Sequence, residues 1–220
     1  MDRAKALVFD WDNTLVDGWT GITSALNVVL RAWGQPAWTV ADARARIRAS
    51  VRDTFPGMFG DTWRDAAALL RTTMREQDLS HLALMQGADA LVAAAASWPG
   101  AIVSNKEGVV LRREVAHLGW TARFGAIVGA GDASADKPDP APIWHALGLI
   151  GVKPGREVWY VGDTGSDMQA AHAAGCTAVL VGDAAHDGGV ARLEQSGAAP
   201  HLHFHDAWDL AALLRRQTPG

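Results

Sequence analysis

The sequence has little cysteine and no long apolar run. Its 220 residues include a single cysteine, Cys176, so an internal disulfide is excluded. No segment approaches the ~20 apolar residues that a membrane-spanning helix needs. The N-terminal residues lack the apolar stretch of a signal peptide. We therefore expect a cytoplasmic protein that has no membrane partner.

An excess of positive charge is also missing. The 20 lysine and arginine residues are outnumbered by 24 aspartate and glutamate residues, which gives a formal net charge of −4. Because nucleic-acid-binding proteins usually carry a basic face, no nucleic-acid partner is expected. A small phosphorylated metabolite remains a candidate partner, since a local cation can offset mild overall acidity.

What the sequence does contain is a series of short apolar runs, each followed by a polar cluster. Segments with helical spacing lie between these runs, and one of them begins at the capping pair Asp139 and Pro140. Short apolar strands that alternate with helices predict an α/β protein with a doubly wound, Rossmann-like parallel sheet. Ligands of such sheets bind beyond the carboxyl ends of the strands. The apolar runs cover residues 6–9, 101–103, 126–128, 158–161 and 178–181.

Residues 18–84 interrupt this alternation. They contain no strand-like run, and their apolar spacing favours helices near residues 22–33, 40–51 and 63–74, with a turn at residues 55–60. Because a helical insertion after the first strand cannot extend the sheet, we predict an all-α cap over the strand ends. The predicted domains are a core of residues 1–17 and 85–220 and a helical cap of residues 18–84.

Four polar clusters follow the predicted strands or lie between them. Asp10 and Asp12 would point the same way in an extended chain, and their repulsion is tolerated where a cation lies between them or a proton moves. A carboxylate can attack a phosphoryl group, and Mg²⁺ prefers carboxylate and phosphate oxygens. The clusters are Asp10-Trp11-Asp12, Ser104-Asn105-Lys106, Lys137, and the stretch from Gly162-Asp163 to Asp167.

On these motifs the chain resembles a haloacid dehalogenase-superfamily phosphatase, in the branch similar to phosphoglycolate phosphatase and β-phosphoglucomutase. Residues 10–15 match the first motif, DxDxTL, with Asn13 where glycine is commoner. That departure is mild because asparagine tolerates a left-handed backbone. The later motifs are matched in order by Ser104, by Lys137, and by Gly162-Asp163 together with Asp167.

The resemblance implies Mg²⁺-dependent hydrolysis of a small-metabolite phosphate monoester through an aspartyl-phosphate. Asp10 would attack phosphorus and also bind Mg²⁺. Asp12 would protonate the leaving alcohol and later deprotonate the attacking water, with its backbone carbonyl as a metal ligand. Ser104 and the Asn105 amide would hold the phosphate oxygens.

The remaining roles are also carried over from the resemblance. Lys137 would neutralise charge between Asp10 and the phosphate. Asp163 would bind Mg²⁺ directly, and Asp167 would support it through water or by orienting Lys137. A phosphosugar mutase and a non-catalytic binding module on the same fold remain alternatives. Dehalogenases and phosphonate-cleaving relatives are disfavoured, since they lack the second aspartate, Asp12.

Other residues carry weaker hypotheses. Arg44, Arg48 and Arg52 are spaced to share one helix face. Arg48 or Arg52 could point into the crevice and bind a second anionic group such as a carboxylate, although a solvated cap surface is the alternative. The three histidines of His201-Leu202-His203-Phe204-His205 would share a strand face as a metal site, or simply belong to an edge strand.

Two neighbours of the motif residues receive structural interpretations. Lys106 is interpreted as a solvated neighbour of the second motif. Trp11 either shields the nucleophile from water or fills space between sheet and cap. The identity of the phosphate ester is open, and so is the choice between a monomer and a homodimer.

Overall fold

The computed structural model describes residues 3–47, 51–80 and 82–217, with only the backbone described at residues 52 and 53. The chain divides into two compact units, one of Met1–Val16 with Ala83–Gly220 and one of Asp17–Leu82. Within the described residues, no helix combines the length and the apolar character that crossing a membrane requires.

The first unit is built on one parallel sheet. The sheet has the order β3-β2-β1-β4-β5-β6, and every neighbouring pair is parallel. This confirms the predicted doubly wound α/β fold. In the described residues its strands are β1 (Ala6–Phe9), β2 (Gly100–Glu107), β3 (Ala126–Ala130), β4 (Val158–Gly162), β5 (Thr177–Val181) and β6 (Leu202–Phe204).

The α-helices complete the description of both units. Helix α7 begins at Ala141, one residue later than predicted, and the Asp139 carboxylate accepts a hydrogen bond from the Ala141 N–H at 2.8 Å. In chain order the described helices are α1 (Gly18–Ala32), α2 (Val40–Arg46), α3 (Val51–Phe59), α4 (Trp63–Glu76), α5 (Ala88–Ala94), α6 (Gly108–His117), α7 (Ala141–Leu149), α8 (Gly165–Ala173), α9 (Val190–Gln195) and α10 (Ala207–Leu214).

The core of the first unit lies around its central strands. Every residue of β1, β4 and β5 is buried. Strands of a parallel sheet that are covered on both faces are expected to be continuously apolar. Strand β1 lies between β2 and β4, where the order of the strands reverses along the chain. Ligands of open α/β sheets bind at such a reversal, beyond the carboxyl ends of the strands.

The regular structure of the second unit, Asp17–Leu82, consists of helices in its described residues, without a strand. The Asp17 side chain begins α1 as its N-cap, because it accepts hydrogen bonds from the main-chain N–H groups of Trp19 and Thr20. An apolar cluster supplied by α1, α3 and α4 forms the core of the unit. Its fully buried members include Leu26, Leu30 and Phe55.

The predicted turn at residues 55–60 is wrong. Helix α3 runs through Pro56 and ends at Phe59, before Gly60, whose φ is +56°. Phe55 and Phe59 lie one helical turn apart, and their ring centroids are 4.9 Å apart. The ring of Trp33 contacts Phe59 at 5.5 Å. Packing of this aromatic face therefore outweighs the turn preference of the Pro-Gly pair.

Candidate active site

The loop after β1 places both aspartates of the first motif. Asp10 follows β1 directly, and its N–H donates to the carbonyl of Val161 on β4 at 2.8 Å. The loop turns at Asn13, whose φ is +62°. Asparagine adopts this left-handed conformation more readily than most residues, so Asn13 suits this turn.

Lys137 lies between two buried carboxylates. Its Nζ is 2.5 Å from Oδ1 of Asp10 and 2.7 Å from Oδ1 of Asp167, and its side chain is 4% exposed. Burial by itself would lower the pKa of this ammonium, but the charges of Asp10 and Asp167 outweigh burial and raise the pKa well above its ordinary value. Lys137 is therefore a permanent cation at the carboxyl end of the sheet.

Asp167 is held in place by several hydrogen bonds. Its Oδ2 accepts hydrogen bonds from the Thr164 N–H at 3.0 Å, the Thr164 hydroxyl at 2.6 Å and the Asp163 N–H at 3.2 Å. Its Oδ1 accepts from the Tyr160 hydroxyl at 3.2 Å as well as from Lys137. Because both oxygens are already occupied, Asp167 is suited to orienting Lys137 rather than to binding a cation directly.

Asp10, Asp163 and Asp167 form an acidic group in which one carboxylate oxygen from each residue lies within 4.8 Å of the other two. Burial raises the pKa of Asp10 to about 7 against the opposing charge of Lys137, and Asp167 adds to the rise. Burial and the same neighbouring carboxylates raise the pKa of Asp163 well above its usual range. An all-oxygen group of mutually repelling carboxylates fits a hard divalent cation.

Thr14 connects two of these carboxylates. Its hydroxyl lies 3.5 Å from Oδ2 of Asp10 and 3.3 Å from Oδ1 of Asp163. The sequence signal for this contact is its place in the DxDxT motif. Tyr160 was also missed, and an apolar run gives no sign that its hydroxyl reaches Asp167.

The interpretation of Lys106 as a solvated neighbour is wrong. Its side chain is only 7% exposed, and Nζ lies 2.7 Å from Oδ1 of Asp12 and 2.6 Å from Oε2 of Glu114. Burial alone would lower the pKa of Lys106, but the two carboxylates raise it. The sequence signal that was missed is Glu114 itself, since it stands on the buried, otherwise apolar face of α6 with Val110 and Leu111.

Trp11 belongs to the same contacts. Its indole N–H donates to Oε2 of Glu114 at 2.6 Å, and its ring meets that of Trp120 edge-on at 6.0 Å. Trp11 is completely buried within the first unit. The indole therefore fixes the loop between the two aspartates to helix α6.

Ser104 and Asn105 lie at the carboxyl end of β2. Ser104 is buried, and its Oγ accepts a hydrogen bond from the Lys106 N–H at 3.2 Å. The side-chain amide of Asn105 pairs twice with the main chain of Lys137, donating to its carbonyl at 2.8 Å and accepting from its N–H at 2.9 Å. The Asn105 side chain thus ties the second motif to the third.

Two predictions receive no support from the described contacts. Arg48 lies outside the described residues, and Arg52 is described only as part of the backbone of α3. The histidines near β6 make separate main-chain contacts, His201 with the Ala178 N–H and His203 with the Gly182 carbonyl. In the described part of the chain, the acidic group above is the one set of three side chains close enough to share a metal ion.

A parallel α/β sheet that gathers three aspartates and a buried lysine at the carboxyl ends of its strands is suited to an enzyme of phosphoryl transfer. The chain belongs to the haloacid dehalogenase-like hydrolases, since the model of that family matches residues 7–181.

Known proteins agree with this assignment. The chain is 31% identical over 188 residues to a phosphoglycolate phosphatase of Xylella fastidiosa, which covers 80% of this chain and 79% of the relative. It is 30% identical to a phosphoglycolate phosphatase of Chromobacterium violaceum, covering 83% and 86%. The crystal structure of a hydrolase of the same superfamily from Ehrlichia chaffeensis is 29% identical, covers 98% of both chains and has a TM-score of 0.66. The chain is an enzyme, a phosphatase of this family.

Proposed function

We propose that this phosphatase hydrolyses a phosphate monoester of a small metabolite in a Mg²⁺-dependent reaction that passes through an aspartyl-phosphate on Asp10. The observation that carries the proposal is the position of Lys137, whose ammonium lies 2.5 Å from Asp10 at the carboxyl end of the sheet. A buried cation in contact with a carboxylate can neutralise charge on both the nucleophile and the phosphoryl group.

The reaction proceeds in two displacements at phosphorus. A carboxylate oxygen of Asp10 attacks phosphorus, the bond from phosphorus to the ester oxygen breaks, and Asp12 donates its proton to the leaving alkoxide. Asp12, now ionised, accepts a proton from water as that water attacks phosphorus, and inorganic phosphate leaves Asp10. The Ser104 hydroxyl and the Asn105 N–H would hold the non-bridging oxygens.

Asp10 and Asp163 would hold the divalent cation through their carboxylates, with the Asp12 carbonyl as a further oxygen ligand. Asp167 supports the site by holding Lys137, because its own oxygens already accept several hydrogen bonds. The cation would supply positive charge that keeps Asp10 ionised and offsets the charge of the phosphate. Mg²⁺ is the cation that we propose, because these hard oxygen ligands and a phosphate suit it.

The proposed first substrate is 2-phosphoglycolate, because relatives such as those of Xylella fastidiosa and Chromobacterium violaceum are named phosphoglycolate phosphatases. Arg48 and Arg52 stay predicted ligands of its carboxylate. The helical unit Asp17–Leu82 is proposed to act as the cap. A cytoplasmic location and a monomeric or homodimeric state also stay predictions, as does the absence of a nucleic-acid partner.

The proposal is tested by measuring phosphate release from a panel of phosphomonoesters, with Mg²⁺ and with EDTA. Asp10→Asn should abolish turnover, because an amide cannot form the acyl-phosphate, while circular dichroism stays unchanged. Acid quenching of wild-type enzyme during turnover should trap covalent phosphate that the variant lacks. Retained hydrolysis by folded Asp10→Asn enzyme would overturn the proposal. Isomerised phosphosugar without released phosphate would favour the mutase alternative.

A further inference from the structure

The chain uses its few lysines in two different ways. It has four lysines, at positions 5, 106, 137 and 153, among 20 basic residues. Lys5 and Lys153 are exposed, whereas the side chains of Lys106 and Lys137 are buried and each contacts two carboxylates. Lys137 contacts the first aspartate of the Asp-Trp-Asp loop, and Lys106 contacts the second. Each of the two aspartates thus has its own lysine.

The contacts of Lys106 form a closed set that excludes most solvent. The side chains of Lys106 and Glu114 are 7% and 8% exposed, and that of Asp12 is 29% exposed. The contact from Lys106 Nζ to Asp12 Oδ1 is an ion pair at 2.7 Å without the angles of an aligned hydrogen bond. Among the described side chains, that buried oxygen has no hydrogen-bonding partner.

A single oxygen of Glu114 holds both Lys106 and the loop that carries the two aspartates. Its Oε2 accepts from Lys106 Nζ and from the indole N–H of Trp11, both at 2.6 Å. Trp11 is the residue between the two aspartates, so the backbone on one side of Asp12 and the carboxylate of Asp12 are held from the same point on α6. A buried ion pair needs further hydrogen bonds to offset the cost of its burial, and the indole N–H supplies one to Glu114. Glu114 and Trp11 therefore fix the position of the Lys106 ammonium beside Oδ1 of Asp12.

We propose that Lys106, anchored by Glu114, is a positioning residue that holds Oδ1 of Asp12 and so directs the other carboxylate oxygen toward the ester oxygen. This inference rests on the proposed function, in which Asp12 transfers the proton. A proton donor must lie within about 2.6–3.2 Å of the atom it serves. A displacement of roughly 1 Å can cost ~10²-fold in rate. An aspartate that is nearly one-third exposed needs such a restraint.

The test compares two esters whose leaving groups differ in their need for a proton. An alkyl phosphate such as 2-phosphoglycolate needs Asp12 to protonate its leaving oxygen, whereas p-nitrophenolate leaves without protonation. The variant is Lys106→Met/Glu114→Gln, which removes the buried ammonium together with its counter-charge and keeps an acceptor for Trp11. The matched control is Lys5→Met, since Lys5 forms an exposed ion pair with Glu157.

The expected results differ between formation of the phosphoenzyme and its hydrolysis. With the alkyl ester, the double variant should form the phosphoenzyme more slowly, and kcat should fall ~10–100-fold with little change in KM. With p-nitrophenyl phosphate, the rate of phosphoenzyme formation should change less than about threefold. Asp12 also activates the water that hydrolyses the phosphoenzyme, so this second step should be slow in the double variant. Turnover of p-nitrophenyl phosphate should therefore begin with a burst of p-nitrophenol. Lys106→Arg should restore part of the alkyl-ester rate, and Lys5→Met should behave as wild type.

The outcomes separate this inference from the proposed function. A folded double variant with the wild-type ratio of alkyl to aryl rates and no burst would overturn the inference, and so would a crystal structure of that variant with the Asp12 carboxylate unmoved. A displaced Asp12 carboxylate in that crystal structure supports the inference even if the alkyl substrate is misidentified. Activity retained by Asp10→Asn would instead overturn the proposed function.

Discussion

Two clusters of side chains around the active-site loop, each built on one buried lysine, differ in the number of carboxylates that surround the lysine. The Lys137 cluster consists of Asp10, Lys137, Asp163 and Asp167, with three carboxylates around one ammonium. The Lys106 cluster consists of Trp11, Asp12, Lys106 and Glu114, in which one buried carboxylate is matched by one ammonium and one indole N–H. The first cluster has two more carboxylates than ammonium groups, and the second has one more, which is the partly exposed Asp12.

This difference teaches how one short loop can combine reactivity with rigidity. Burial raises the pKa of Asp10 to about 7, and the charge of Asp167 adds to the rise, which makes the site suited to a cation. The buried Lys106–Glu114 ion pair, with the indole N–H of Trp11, gives the loop a fixed geometry, although replacing such a pair by apolar groups is often nearly neutral for stability. Loss of the lysine should therefore have different consequences in the two clusters.

The largest effect is expected for Lys137→Met. Removal of the ammonium leaves the carboxylates of Asp10 and Asp167 buried without a counter-charge, which should cost about 3–5 kcal/mol in the free energy of unfolding. Phosphatase activity should fall ~10³-fold or more, since charge near the phosphoryl group is no longer neutralised. Urea unfolding and steady-state kinetics measure both quantities. Lys153→Met, at an exposed lysine, should leave both nearly unchanged. The comparison fails if Lys106→Met reduces turnover more than Lys137→Met does.

A second prediction concerns the pH dependence of stability without metal. The pKa of Asp10 is raised by burial from 3.8 to about 7, so between these values the folded protein holds a proton that the unfolded chain has released. The contribution of Asp10 to stability is therefore present at low pH and is lost as pH rises from about 4 to 7, by at most about 1.4 kcal/mol per pH unit.

The measurement is urea unfolding in EDTA at several pH values, with Asp10→Asn as the reference that lacks this titration. The wild type should lose stability relative to Asp10→Asn as pH rises through this window. Saturating Mg²⁺ should oppose the loss, because the cation favours the ionised carboxylate. A wild type that gains stability relative to the variant over the same window would contradict an excess of negative charge in the Lys137 cluster.

The sheet and the Lys137 cluster could be predicted because their signals are local. Strands β1, β3 and β4 are continuous apolar runs. Asp10, Lys137 and Asp163 follow strands or strand-like runs whose carboxyl ends meet at one edge of a parallel sheet. Their convergence follows from topology alone, without knowledge of any side-chain contact.

The Lys106 cluster and the course of α3 could not be predicted in this way. A lysine beside two polar residues reads as solvated, and only the placement of Glu114 on the sheet-facing side of α6 makes it a buried partner. In the same way, Pro56 reads as a turn, whereas the packing of Phe55 on Phe59 keeps the helix intact. In both cases a contact with another helical turn or another element outweighs the preference that the local sequence indicates.

The smallest effect is expected at Asn13, which joins the two clusters because it lies between Asp12 and Thr14. With φ at +62°, Asn13→Gly should change stability by less than about 0.5 kcal/mol. Asn13→Ala should be less stable than Asn13→Gly by about 1–2 kcal/mol, since alanine is strained in this region. Asn13→Ala should also lower kcat, because the strained turn holds both Asp12 and Thr14. Ala184, with φ at +52° and outside both clusters, is the matched control, and Ala184→Gly should leave kcat unchanged. Equal kcat values for Asn13→Ala and Asn13→Gly would mean that the turn does not couple the two clusters.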